Sequence, residues 1–170
     1  MKRLLTIVPV LVLLAFAGMF VIRGLKDPTV IPEALVGKPM PAVALPPLKG
    51  GAAGPLKETL KGPTLVNFFA SWCAPCIQEA PALMAMKSQG IRIVGVAYKD
   101  APEASKAFLN RYGDPFAEIR VDRDGRAGIE FGVSGVPETF LVSETGKILA
   151  KHSGPMNPAD ADALLAKADQ

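Results

Sequence analysis

Cys73 and Cys76 stand two residues apart in the segment Trp72-Cys73-Ala74-Pro75-Cys76, and they are the only cysteines in 170 residues. They follow the apolar run Thr64-Leu65-Val66-Asn67-Phe68-Phe69-Ala70 directly. A short apolar run bounded by turn signals reads as a buried parallel strand, and the proline-containing segment after it can open a helix. Cys73 is therefore expected at a helix N-terminus. Unpaired N–H groups and the positive end of the helix dipole stabilise an anion there, lowering a thiol pKa from roughly 8.5 to about 7 or below. Cys76 lies on the same helical face, close enough for a disulfide without backbone rearrangement. Pro75 falls in the first turn, where its missing N–H costs little. The pattern suits a cycle in which an exposed, acidified Cys73 attacks a partner disulfide and Cys76 resolves the mixed disulfide.

Other uses of the pair fit less well. A structural disulfide gains stability chiefly by closing a long loop, and this loop has two intervening residues. Structural zinc wants four ligands, whereas the chain offers two Cys and the single His152. Covalent c-type haem attachment needs His after the second Cys, and position 77 is Ile.

The N-terminus sets the compartment. Leu4–Ile22 carries no charge and is long enough to cross a bilayer core of about 30 Å as a helix; Pro9 is compatible with such a span. Lys2 and Arg3 before it nearly balance Arg23 and Lys26 after it, so charge alone fixes no orientation. Ala15-Phe16-Ala17 has the form of a cleavage motif, but apolar residues continue past it, which favours an uncleaved anchor. Four of the 19 basic residues lie in residues 1–26, which hold no acid, so 15 basic face 16 acidic residues in the remainder, a net −1. The pI of 8.9 is thus an effect of the anchor and gives no sign of nucleic-acid binding. The expected organisation is an anchor over 1–23, a Pro-containing linker over 24–36 and one domain over 37–170.

Within that domain the pattern is mixed α/β. Strands are expected at 42–45, 64–70, 91–97 and 119–121, with a Pro/Gly-rich turn over 46–55. Helices are expected over 73–88, kinked at Pro81, over 102–112, as one turn at 127–131 and over 158–168. Residues 138–142 and 148–150 flank Glu144-Thr145-Gly146-Lys147, a hairpin signal.

Four segments carry a resemblance: Trp72-Cys73-Ala74-Pro75-Cys76, Tyr98-Lys99-Asp100, the run Gly132-Val133-Ser134-Gly135-Val136-Pro137-Glu138-Thr139-Phe140, and Lys151-His152-Ser153-Gly154. Together they resemble the DsbE/CcmG family of membrane-anchored thiol:disulfide interchange proteins of cytochrome c biogenesis, within the thioredoxin superfamily. The departure is Val136, where many members carry a smaller residue. The resemblance implies a thioredoxin-like fold, a mixed central sheet flanked by helices, behind an N-terminal transmembrane helix. It implies a redox-active Cys73–Cys76 pair and a cis Val136–Pro137 bond beside it, which leaves backbone groups of Val136 beside Pro137 free to pair with an extended substrate segment. Trp72, beside the disulfide, reads as part of the recognition surface, with shielding of the sulfur as the alternative. It also implies a single-pass location in a bacterial inner membrane with the C-terminal domain in the periplasm. The partners would be apocytochrome c, or a cytochrome c assembly thiol protein acting as its carrier, and a transmembrane electron donor of the DsbD/CcdA type.

Other side chains are read from chemistry. Many thioredoxins carry a buried Asp at the strand position held here by Asn67, and an amide cannot take the proton of the resolving cysteine. Glu138, next to Pro137, is the first candidate for a substitute carboxylate, with Asp100 and Glu79 behind it. Lys99 reads as a solvated charge, Met84 and Met86 as packing residues, and Phe68, Phe69 and Phe140 as core. No metal site and no cofactor are expected, since His152 lacks partners other than the thiols. Competing functions are a broad-range disulfide reductase or oxidase and, from another class, a metal- or haem-handling assembly factor. A peroxidase is suggested only by Gly37-Lys38-Pro39-Met40-Pro41, without the lone activated Cys it needs.

Overall fold

The computed structural model describes residues 34–168 and the pair Val12–Leu13. The expected anchor otherwise lies outside the described residues, as does the linker up to residue 33. Among the described residues no helix is long and apolar enough to cross a membrane. One compact unit runs from Ala34, and Leu35 and Val36 pack on its core.

A two-stranded ladder pairs β1 (Ala44–Leu45) with β2 (Gly54–Pro55), followed by a 3-10 turn at Leu56–Thr59. The main elements follow as β3 (Thr64–Phe69), α1 (Ala74–Ser88), β4 (Ile93–Tyr98), α2 (Pro102–Tyr112) and β5 (Glu118–Asp122). Then come α3 (Arg126–Glu130), β6 (Glu138–Val142), β7 (Ile148–Ser153) and α4 (Pro158–Leu165). The five-stranded sheet has the order β5-β4-β3-β6-β7, with β3, β4 and β5 parallel and β6 and β7 antiparallel to their neighbours. This is the mixed α/β sandwich expected, and helix α1 runs through Pro81 from an N-cap at Cys73.

Strand alternation divides the core. Leu65, Phe69, Ile93, Ala97 and Leu141 face Cys76, Leu83 and Met86 of α1 together with Phe108 and Leu164. Val66, Phe68, Val94, Val96 and Phe140 face the other way, onto Met40, Leu56 and Phe131. Both sides of β3 are therefore buried, as a central parallel strand requires. Gly95 has no side chain because Phe116 lies over it: a Cβ there would come within 2.9 Å of the ring, which stacks on Phe69 at 4.8 Å.

Candidate active site

The C-terminal end of β3 delivers the chain to α1 through Ser71 and Trp72, and what fixes that turn is Asp100. Its Oδ2 accepts from the Ser71 N–H at 2.8 Å and from Ser105 Oγ at 2.7 Å. Its Oδ1 accepts from Ser71 Oγ at 2.8 Å and from the Ala101 N–H at 2.9 Å. Trp72 Nε1 donates to the Lys99 carbonyl at 3.3 Å while the indole stays 60% exposed. Lys99 is exposed at a φ of 48°, its aliphatic chain lying over Gly125. The motif Tyr98-Lys99-Asp100 thus holds the approach to the cysteines, and the solvated charge expected of Lys99 fits its position.

Cys73 is the N-cap of α1 and is disulfide-bonded to Cys76 across a Cα–Cα distance of 5.3 Å. Its sulfur accepts the Cys76 N–H at 3.1 Å, the donor geometry that favours a thiolate once the pair is reduced. The same sulfur lies 3.4 Å from the Val136 carbonyl oxygen, to which the reduced thiol can donate. The Val136–Pro137 bond is cis, so Cys73, Val136 and Pro137 are brought together at the end of the sheet. One expectation is corrected: in the disulfide Cys73 is only 3% exposed, because Cys76 and the Val136 carbonyl cover the sulfur. Exposure belongs to its neighbours Trp72, Ala74, Pro75 and Gly135.

The carboxylates also change places. Glu138 stands opposite Phe68 in the β3–β6 register and so on the Phe140 face of the sheet, away from the face that Cys76 joins. Its Oε1 accepts from Ser134 Oγ at 2.7 Å and Ser153 Oγ at 3.1 Å, and its Oε2 pairs with Lys151 Nζ at 3.0 Å. Glu138 as proton acceptor for Cys76 is therefore not supported: the carboxyl is held beneath the Ser134–Pro137 loop by Ser134, Ser153 and Lys151.

Glu79 is on the correct side. It follows Cys76 by three residues on α1, is 1% exposed, and shares with Cys76, Asn67, Phe69, Leu83 and Phe116 a cavity of about 10 Å³, the space of roughly one water. Its Oε1 accepts from Asn67 Nδ2 at 3.0 Å and its Oε2 from the Met156 N–H at 3.3 Å. Asn67 Nδ2 also donates to Thr139 Oγ1 at 3.0 Å. Burial raises the Glu79 pKa from its ordinary 4.5 to about 7, outweighing the two hydrogen bonds that favour the carboxylate. A carboxyl poised near neutrality beside the resolving cysteine can exchange a proton with it. The helical spacing Cys76–Glu79 is the sequence signal that points to this residue, and it competes with the nearness of Glu138 to Pro137. Asn67, itself unable to accept the proton, orients the carboxyl that can.

His152 lies opposite Thr139 on β7, with Nε2 3.9 Å from Asp160 Oδ2. A groove of about 620 Å³ between Leu48 and α2 touches the Glu79 cavity only through Leu109 and Phe116 and reaches neither cysteine. The chemistry available here is thiol–disulfide exchange, with two electrons and two protons passing between the Cys73–Cys76 pair and a pair of partner cysteines.

Comparison with known proteins agrees with the geometry. Residues 35–165 match the Redoxin family. The thiol:disulfide interchange protein HelX of Rhodobacter capsulatus is 42% identical over 164 residues, covering 92% of this chain and 90% of that one. The thiol:disulfide interchange protein DsbE of Escherichia coli is 36% identical over 165 residues, covering 93% and 89%. Among solved structures, MTB DsbF in its mixed oxidized and reduced forms aligns with a TM-score of 0.63 at 26% identity, over 82% of this chain and 97% of that one.

Proposed function

The chain belongs to the Redoxin family and to its DsbE/HelX thiol:disulfide interchange proteins, a thiol:disulfide oxidoreductase of thioredoxin-like fold, and from that premise we propose a specific post for it. It is a membrane-anchored reductant on the periplasmic side of a bacterial inner membrane. It returns the CxxCH cysteines of apocytochrome c, or of a dedicated carrier, to the dithiol form so that haem can attach.

The observation that carries the reading is the Cys73 sulfur, held at a helix N-terminus 3.4 Å from the Val136 carbonyl, with Glu79 beside its partner Cys76. In the reduced protein the Cys73 thiolate attacks one sulfur of the partner disulfide. That bond breaks, the mixed disulfide forms, and the partner's other sulfur leaves as a thiolate. Cys76 then gives its proton to Glu79 and attacks Cys73 Sγ, closing the Cys73–Cys76 bond and releasing the second partner thiolate. Two electrons have passed to the partner. A transmembrane donor of the DsbD/CcdA type restores the dithiol, and the uncharged stretch within 1–23 holds the domain near both.

Direction of electron flow is the testable point, since the same scaffold serves potentials from about −270 mV to about −120 mV. The expected result is a potential at the reducing end, together with mixed disulfides of the Cys76→Ser variant to CxxCH-containing chains in periplasmic extracts. Loss of c-type cytochromes alone on deleting the gene supports the cytochrome assignment. A potential near −120 mV, or a general loss of periplasmic disulfide reduction, assigns the broad-range role instead.

A further inference from the structure

The loop that carries the Cys73 contact is tied at its start, where the Val133 N–H donates to the Gly128 carbonyl at 2.8 Å, and by Val133 and Val136 packed on the core. Gly132, Ser134 and Gly135 are exposed, and two of the three have no side chain. Their polar anchorage comes from below. Lys151 on β7 and Glu138 on β6 form an ion pair at 3.0 Å with side chains only 8% and 2% exposed. Each partner reaches into the loop. Lys151 Nζ donates to the Gly132 carbonyl at 3.3 Å, and Glu138 Oε1 accepts from Ser134 Oγ at 2.7 Å. Ser153 Oγ, beside Lys151 on the same strand face, donates to that oxygen at 3.1 Å, and the Gly154 N–H donates to the Pro137 carbonyl at 2.9 Å. Lys151 Nζ also stands 5.4 Å from the centre of the Phe140 ring.

A buried ion pair is a weak source of stability, because desolvation of both charges consumes most of their attraction. What this pair does have is direction: its spare hydrogen bonds end on the first and third residues of the loop whose fifth, Val136, meets Cys73. We propose that Lys151, acting through Glu138, is a positioning residue that fixes the 132–137 loop against an extended partner. It thereby sets the preference of the site for polypeptide disulfides over small ones. The inference rests on the exchange chemistry above and is indifferent to which polypeptide is served.

The full chain, reduced, is assayed against two probes: hydroxyethyl disulfide, which has no backbone to pair, and an extended peptide closed by a CxxCH disulfide. Lys151→Met and Ser134→Ala should each raise KM for the peptide about tenfold, the loss of one to two well-made hydrogen bonds, with kcat nearly unchanged. Neither should alter exchange with hydroxyethyl disulfide or the reduction potential of the pair, and Lys151→Arg should recover most of the peptide affinity. Equal loss on both probes, or a shifted potential, would make the pair a tuner of the thiols and overturn the inference. No loss on either probe would reduce the pair to packing and overturn it equally. Should Lys151→Met leave Glu138 unpaired and fail to fold, Ser134→Ala decides alone, since Ser134 is exposed. A peptide lacking the final histidine separates the two readings. Its equal use by the parent protein counts against the cytochrome assignment, while the contrast between probes still tests Lys151.

Discussion

At Glu79 the same burial that suits a proton carrier leaves a signature in stability. The folded carboxyl holds its proton up to about pH 7, whereas its ordinary value is 4.5, so between those limits the folded protein binds more protons than the unfolded chain. Stability from this group is whole below the lower value and is lost as pH rises through the upper one, a loss of about 3 kcal/mol when ionisation is complete. Urea unfolding of the oxidised protein at about pH 5 and about pH 8 should show this fall in the parent and its absence in Glu79→Gln. A variant whose pH dependence matches the parent would place the titration elsewhere. The substitution keeps an acceptor for Asn67 but sets its amide nitrogen against the Met156 N–H, a cost to stability that does not vary with pH, and Gln cannot take a proton from Cys76. Mixed disulfides should then accumulate in the variant and resolve more slowly, by about a hundredfold or more, in a quenched-flow trapping assay.

Two elements meet at the start of α1, and each carries its own expectation. The helix end presents the Cys76 N–H to the Cys73 sulfur, with no acidic residue in the first turn to oppose a negative charge. In the reduced protein the Cys73 thiol should accordingly titrate below a free cysteine, read from the pH dependence of iodoacetamide alkylation in Cys76→Ser. A value near that of free cysteine, roughly 8.5, would remove the activated nucleophile. The opposite buttress is the β4–α2 junction, where one buried carboxylate, Asp100, accepts four hydrogen bonds. Asp100→Asn turns one acceptor atom into a donor facing donors, so it should cost about 3 kcal/mol in denaturant unfolding. Asp122 does comparable work for α3, accepting the N–H groups of Ala127 and Gly128 at 3.1 and 2.9 Å. Gly128 has no room for a methyl: a Cβ would come within 2.3 Å of the Tyr98 ring, so Gly128→Ala should destabilise by about 1–3 kcal/mol.

Over the whole molecule, what is legible in the sequence is what repeats or punctuates. Helix α2 falls where Pro102 and the spacing of Ala104, Phe108 and Tyr112 put it, and β3 where the apolar run of residues 64–70 lies. Of the short ladder, β1 falls inside the strand expected at 42–45, whereas β2 is not legible: Gly54 and Pro55 end a Pro/Gly-rich stretch with no periodicity, so tertiary pairing with Leu45 and Ala44 alone makes them a strand. The cysteine pair is legible because its chemistry is local, whereas the choice between Glu79 and Glu138 depends on which face of the sheet each occupies. That is a matter of register, and register is set by pairing between segments far apart in sequence. The remaining large-scale expectation concerns residues 1–33. Among the described residues, both core layers are built from positions at or beyond Leu35, so a chain starting at Ala34 should fold and exchange with hydroxyethyl disulfide at the parent rate. The full chain should stay with bacterial membranes through carbonate extraction, and the shortened one should not. Against a membrane-bound partner the shortened chain should lose about a hundredfold in rate, because tethering replaces a dilute encounter with a high effective concentration. A full chain extracted into the soluble fraction would remove the anchor. Equal rates for the two chains would instead show that anchoring gives the enzyme no advantage in reaching its partner.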